Sequence, residues 1–215
     1  MAEVVIVDSA EAAGEIAADA IAALVSSNPT AVLGLATGST PLTTWKSLAD
    51  RSLELSRVRG FALDEYVGLP EGHPESYRSV ITREVVEPLG LTPSLVRVPG
   101  DDGPAQGAGE RYEDAIVAAG GVDLQILGIG RTGHIGFNEP GSSLASLTRV
   151  KTLTQQTRVD NARFFPYTTL FRSAPGTSCC SRSARRRRLR SPRRSRVRYR
   201  RAPRGPSCSC IRASR

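Results

Sequence analysis

Apolar positions along most of the chain fall into short runs with two alternating periods. AVLGLA (residues 31–36), VRGFAL (58–63), LVRVPG (95–100) and VDLQILGIG (122–130) have strand length, and continuous apolar runs fit strands covered on both faces. VDLQILGIG is the clearest buried strand of these. EVVIVD (3–8) and RVKTLT (149–154) read as two further short strands. Between them, AEAAGEIAADAIAALVSS, TTWKSLADRSL, ESYRSVITREVVEPLG and ERYEDAIVAAGG are helical in composition and spacing. Asp8 and Glu11 have the spacing of a capping box that opens the first helix. Pro88 and Gly90 stop the third, and glycine closes the fourth. Strands alternating with helices predict an α/β fold, a mostly parallel sheet with helices on both faces. Ligands of such sheets bind beyond the carboxyl ends of the strands. Three loops lie there: TGSTP, DEYVGLP and GRTGHIGFNEP.

Composition changes the picture only near the end. The chain has 215 residues and a formal net charge of +8. Residues 1–173 carry 14 basic and all 21 acidic side chains, a balance of −7. Residues 174–215 carry 15 arginines, no lysine and no acid, together with all four cysteines. The basic character therefore belongs to the tail alone. A cysteine-free body with no secretory leader predicts a cytoplasmic protein. No apolar run approaches the roughly 20 residues of a membrane span.

Each loop has a chemical and a structural reading. TGSTP follows a buried strand and precedes a helix, which offers backbone N–H groups and hydroxyls to a phosphate. It lacks the spacing and lysine of a P-loop, and an ordinary strand–helix turn is the alternative. Asp64 and Glu65 end a strand, where a carboxylate can act as a base in a cleft or simply cap a helix. His73 reads as a surface histidine among turn residues. His134 and Glu139 share a glycine-rich loop. Imidazole titrates near neutrality and a carboxylate can orient it, or the pair can merely tie down the loop. With two histidines in all and no HxxxH or HxH pair, no metal site is expected. Together the loops suit proton transfer on a small phosphorylated molecule.

LGLATGSTP, LDEYVGLPEGHPESY and LGIGRTGHIGFNEPGSSLASLTRVKTLTQQTRVDNARFF closely resemble the glucosamine-6-phosphate deaminases, in order, up to Phe164. The resemblance implies a Rossmann-like fold and conversion of glucosamine 6-phosphate and water to fructose 6-phosphate and ammonia, with no metal or organic cofactor. It implies that Asp64 is the base at sugar C2, that His134 assists ring opening and that Glu139 is its acidic partner. It also implies that Thr37, Gly38, Ser39, Thr40 and Arg163 bind the phosphate. Ser142, Arg149 and Lys151 match positions of the allosteric site in members controlled by N-acetylglucosamine 6-phosphate. Thr132 stands at a substrate-site position where many members have Asp or Asn, and Leu147 replaces a commonly basic residue. A sugar phosphate is the expected partner, and a homo-oligomer is compatible with the sequence. The rival enzyme is a sugar-phosphate hydrolase such as 6-phosphogluconolactonase, against which DEYVGL and GFNEP speak.

The resemblance stops after Phe164, so the expected organisation is an incomplete deaminase-like domain over 1–164 and a non-native, disordered, arginine-rich tail over 165–215. TTT CCC TAC ACG ACG CTC TTC CGA TCT, the end of a common sequencing adapter, would encode FPYTTLFRS (165–173). APGTSCCSRSARRRR, back-translated with GC-rich codons and read one nucleotide earlier, permits GARHLVLLAFGEAKA, which resembles a later part of the same family. A sheet without its last strands exposes apolar surface and an open edge. The 215-residue chain is accordingly expected to be poorly stable and nearly inactive. If the tail is instead genuine, it predicts electrostatic nucleic-acid binding.

Overall fold

The computed structural model describes residues 3–143, 145–152 and, for the backbone alone, 177–180. In chain order its elements begin with α1 (Ala10–Ser27), β1 (Val32–Leu35), α2 (Ser39–Ala49), β2 (Arg59–Ala62) and β3 (Asp64–Tyr66). They continue with α3 (Tyr77–Ile81), α4 (Glu87–Leu89), β4 (Val96–Arg97) and α5 (Ala108–Ala118). The last are β5 (Leu124–Gln125), β6 (Arg149–Thr152) and β7 (Thr177–Cys180).

Four strands form a parallel sheet in the order β4-β2-β1-β5. Alternation along β1 divides its side chains between two apolar layers. Leu33 and Leu35 pack with Ile21, Trp45, Leu48 and Val85 from the helices of one face. Val32 packs on the other with Phe61 and with Tyr112 and Ile116 of α5. The expected α/β architecture with helices on both faces is therefore present. Strands are added in one direction from β1 to β2 and β4, then in the other to β5. That reversal opens a crevice beyond the carboxyl ends of β1 and β5, where TGSTP and GRTGHIGFNEP leave the sheet. The indole N–H of Trp45 donates to Ala36 O at 3.2 Å and anchors α2 beneath the first of these loops.

Several expectations change. Residues 3–7 form no strand, and Val4 and Ile6 are exposed, because no strand edge of the described residues receives them. The cap of α1 is Ser9, whose hydroxyl accepts from Ala12 N at 3.1 Å, in place of the Asp8/Glu11 box. The third helix is interrupted by a π turn over Thr82–Val86. Pro88 has no N–H for the carbonyl of Glu84 and its ring crowds that turn, which the wider winding accommodates. The apolar run of β5 gives only two strand residues. Ile126 N still reaches Gly34 O at 3.1 Å, but Leu127 and Ile129 are exposed. Among the described residues, β5 has a neighbour only in β1. An apolar run is buried only as far as a neighbour covers it.

A second sheet, in the order β3-β7-β6, is antiparallel. Its middle strand comes from the arginine-rich tail, so Thr177–Cys180 depart from the expected disorder by pairing with both Asp64–Tyr66 and Arg149–Thr152. Backbone pairing needs no particular side chain, which explains how such a segment can fill a gap between two strands. The other tail residues lie outside the described ones. No helix of the described residues is long and apolar enough to cross a membrane.

Candidate active site

The first loop turns at Gly38, whose φ of 109° only glycine adopts readily. This residue is the N-cap of α2 and no side chain caps the helix. The first-turn N–H groups of α2 therefore keep their capacity to bind an anion, which the helix dipole favours. Gly38, Ser39 and Thr40 are exposed and Thr37 is half-buried. Arg163 lies outside the described residues.

The adjacent acids of the second loop have opposite roles. Glu65 is a cap. Its Oε1 accepts from Tyr66 N at 2.7 Å and Tyr77 N at 2.9 Å, and Oε2 accepts from Arg78 N at 2.8 Å. Tyr77 and Arg78 open α3, where N–H groups lack intrahelical acceptors. Asp64 is buried, 7% exposed. Burial, then the neighbouring negative charge of Glu65, push its pKa from 3.8 to about 8. A carboxyl so raised accepts a proton far more readily than an ordinary aspartate and works near neutral pH. It lies two residues beyond the carboxyl end of β2, where it opens β3.

The third loop folds on itself. Ile135 and Asn138 exchange backbone hydrogen bonds across a turn in which Gly136 takes φ of 59°. This reversal brings Glu139 back to His134. Nδ1 of His134 is 3.8 Å from Glu139 Oε1, and the hydroxyl of Thr132 lies between the two side chains. Thr132 Oγ1 is 2.8 Å from His134 Nδ1 and donates to Glu139 Oε2 at 2.9 Å. The imidazole lies over Gly130, where an added Cβ would come within 2.0 Å of Nε2. Gly130→Ala is thus expected to turn the ring away from Thr132. The check is imidazole NMR, in which the His134 resonances should move while the unfolding midpoint holds. Unmoved resonances would show that the ring does not depend on that space.

Three aromatic rings join the loops. Phe137, between His134 and Glu139, stacks on Tyr77 at a centroid distance of 6.0 Å and lies 5.4 Å from Tyr66. Tyr66 and Tyr77 are 5.0 Å apart. Tyr77 also lies near enough to Thr37 and Asp64 for both to perturb its phenol. Burial, then Asp64, raise its phenol well above the ordinary value, so it stays neutral. The cradle, the buried acid and the His/Glu pair are thereby linked. Sequence reasoning missed these rings because their spacing follows no helical or strand period. The guanidinium of Arg149, which the resemblance matches to an allosteric position, donates to Asn138 Oδ1 at 2.8 Å and ties β6 to the third loop. His73 Nδ1 accepts from Glu75 N at 3.1 Å in a local turn. Among the described residues no three metal-ligating side chains gather.

A family model for glucosamine-6-phosphate isomerases and 6-phosphogluconolactonase matches residues 7–163. The glucosamine-6-phosphate deaminase of Bifidobacterium longum subsp. infantis is 59% identical over 178 residues, covering 77% of this chain and 66% of the relative. That of Streptomyces avermitilis is 61% identical over 170 residues, covering 76% and 64%. The chain thus spans just under two thirds of the length of these curated relatives. A solved monomeric glucosamine-6-phosphate deaminase superposes with a TM-score of 0.73 at 38% identity, over 81% of this chain and 73% of that one. A 6-phosphogluconolactonase from Thermotoga maritima gives 0.62 at 19% identity over 82% and 74%, a likeness of fold.

Proposed function

Because the chain belongs to the family of glucosamine-6-phosphate isomerases and 6-phosphogluconolactonases, we propose that its site is built to convert glucosamine 6-phosphate and water to fructose 6-phosphate and ammonia. The N-terminus of α2, with Thr37, Gly38, Ser39 and Thr40, holds the phosphate, and Arg163 adds a cation to it. His134, with Thr132 and Glu139, carries the anomeric hydroxyl proton to the ring oxygen as the C1–O5 bond breaks. Asp64 removes the proton from C2 of the open aldehyde and returns it at C1, while the C1 oxygen takes up a proton and the C2 amine gives one up, leaving a C2 imine. Water adds to C2, supplies the ketone oxygen and displaces ammonia. A phosphate ester does not cross a membrane unaided, which supports a cytoplasmic reaction.

The observation that carries this reading is the buried, high-pKa Asp64 just beyond the carboxyl end of β2, with Tyr77 near both it and Thr37 of the anion-receptive turn. Identities of 59% and 61% to deaminases favour deamination over lactone hydrolysis. The test is ammonia release from glucosamine 6-phosphate by the 215-residue chain at high concentration, with 6-phosphogluconolactone as the competing substrate. Slow ammonia release that disappears in Asp64→Asn is expected. Lactone hydrolysis without ammonia would overturn the reading.

Residues 165–215 are, on this reading, foreign to the enzyme. The end of the family match at Arg163 supports that boundary, as does the adapter reading of FPYTTLFRS. One nucleotide earlier, the codons of Thr177–Cys180 permit His-Leu-Val-Leu, a better strand than the one they encode here. Exposed Leu127 and Ile129 fit a domain whose remaining strands are lost. Resequencing the gene across codons 155–180 decides it, because FPYTTLFRS in intact source DNA would make the tail genuine.

A further inference from the structure

The hydroxyl of Thr132 has one proton and two neighbours. It lies 2.8 Å from His134 Nδ1 and 2.9 Å from Glu139 Oε2. An ionised carboxylate only accepts, so the single hydroxyl proton goes to Glu139. The oxygen is then left with lone pairs toward the imidazole. Nδ1 must therefore carry the ring proton and donate it to Thr132. The direct His134–Glu139 separation of 3.8 Å is too long to do this without the hydroxyl between them.

We propose that Thr132 is a positioning residue that holds His134 in the Nδ1–H tautomer by relaying a directed chain, His134 to Thr132 to Glu139. The consequence falls on Nε2. It keeps its lone pair as an acceptor over Gly130, where the missing side chain leaves room for the ring itself. A histidine so held is a base at Nε2 before any ligand arrives. Aspartate or asparagine at position 132 would accept from Nδ1 directly. Threonine, which is neither acid nor base near neutral pH, reaches the same polarity only by passing its own proton to Glu139. The role of Nε2 in ring opening rests on the deaminase reading, whereas the tautomer does not.

The experiment is nitrogen NMR of the labelled imidazoles in the full chain at about pH 8.5, above the ordinary histidine range near 6.5. A His73→Gln variant assigns the two histidines. His134 is expected to show a protonated, pyrrole-type Nδ1 and an unprotonated, pyridine-type Nε2. Thr132→Val removes the hydroxyl at nearly constant shape and should exchange the two assignments. Thr132→Ser should restore them. A pyrrole-type Nε2 in the unaltered chain would overturn the proposal, even if the valine variant failed to fold. So would a valine spectrum identical to the parent. Ammonia release is measured separately, so its failure with the tautomer intact would count against the deaminase reading alone.

Discussion

Asp64→Asn is expected to yield a protein that is more stable in alkali and has no turnover. The carboxyl is buried in the folded chain and its pKa is pushed from 3.8 to about 8, first by burial and then by Glu65. Between about pH 4 and pH 8 the folded state keeps a proton that the unfolded chain releases. Stability therefore falls as pH rises through that window, and the penalty is complete above the folded pKa. At about 1.4 kcal/mol per unit, a shift of this size corresponds to several kcal/mol. Asparagine has the same shape and no charge, so it escapes the penalty. Urea midpoints at pH 5 and pH 9 should fall for the parent and stay level for the variant. Parallel pH profiles would show that Asp64 is ionised without cost. The same ionisation limits the base, so kcat/KM for ammonia release should rise toward pH 8 in the parent and vanish in the variant.

Glu65→Ala should be among the most destabilising single changes in the second loop. It strips the acceptor from three backbone N–H groups at 2.7, 2.9 and 2.8 Å. Hydrogen bonds to a charged group are worth roughly 1.5–3 kcal/mol each and are not additive, so a loss of about 3 kcal/mol is expected. Ser76 remains as the N-cap of α3 and accepts from Ser79 N at 3.1 Å, but it cannot reach the same donors. Glu65→Gln separates the cap from the charge. It keeps a carbonyl oxygen for the helix while removing the negative charge beside Asp64. The Asp64 titration should then move to lower pH, with a smaller stability loss than in the alanine variant. Denaturant unfolding and the pH–rate profile read the two effects independently. An unmoved profile would leave burial as the whole cause of the raised pKa.

The Asp64–Glu65 pair illustrates how much of the site was legible. A strand end with two acids allowed a base or a helix cap; the cap reading holds for Glu65, and Asp64 is the buried carboxyl for which the base role is proposed. Alternation along the strand turns neighbouring side chains to opposite sides, so one carboxyl is buried while its neighbour meets α3. Composition could not distinguish them. The His134 and Glu139 pairing was legible because glycines on either side of His134 permit a tight reversal within one short loop. Thr132 was marked as a departure at a substrate-site position, but its place between the two required the folded loop.

By itself, the order of apolar runs determined the parallel sheet, its helices on both faces and the three loops that could bear chemistry. These follow from local periodicity, which every conformation of the chain carries. Only the tertiary structure decided which acid is buried and that Tyr66, Tyr77 and Phe137 link the loops. It also decided that β5 stops at Gln125 and that Thr177–Cys180 enter a sheet. Those outcomes depend on what lies beside a residue in space. Desolvation, ring packing and strand pairing are set by neighbours distant in the chain, and no local pattern records them.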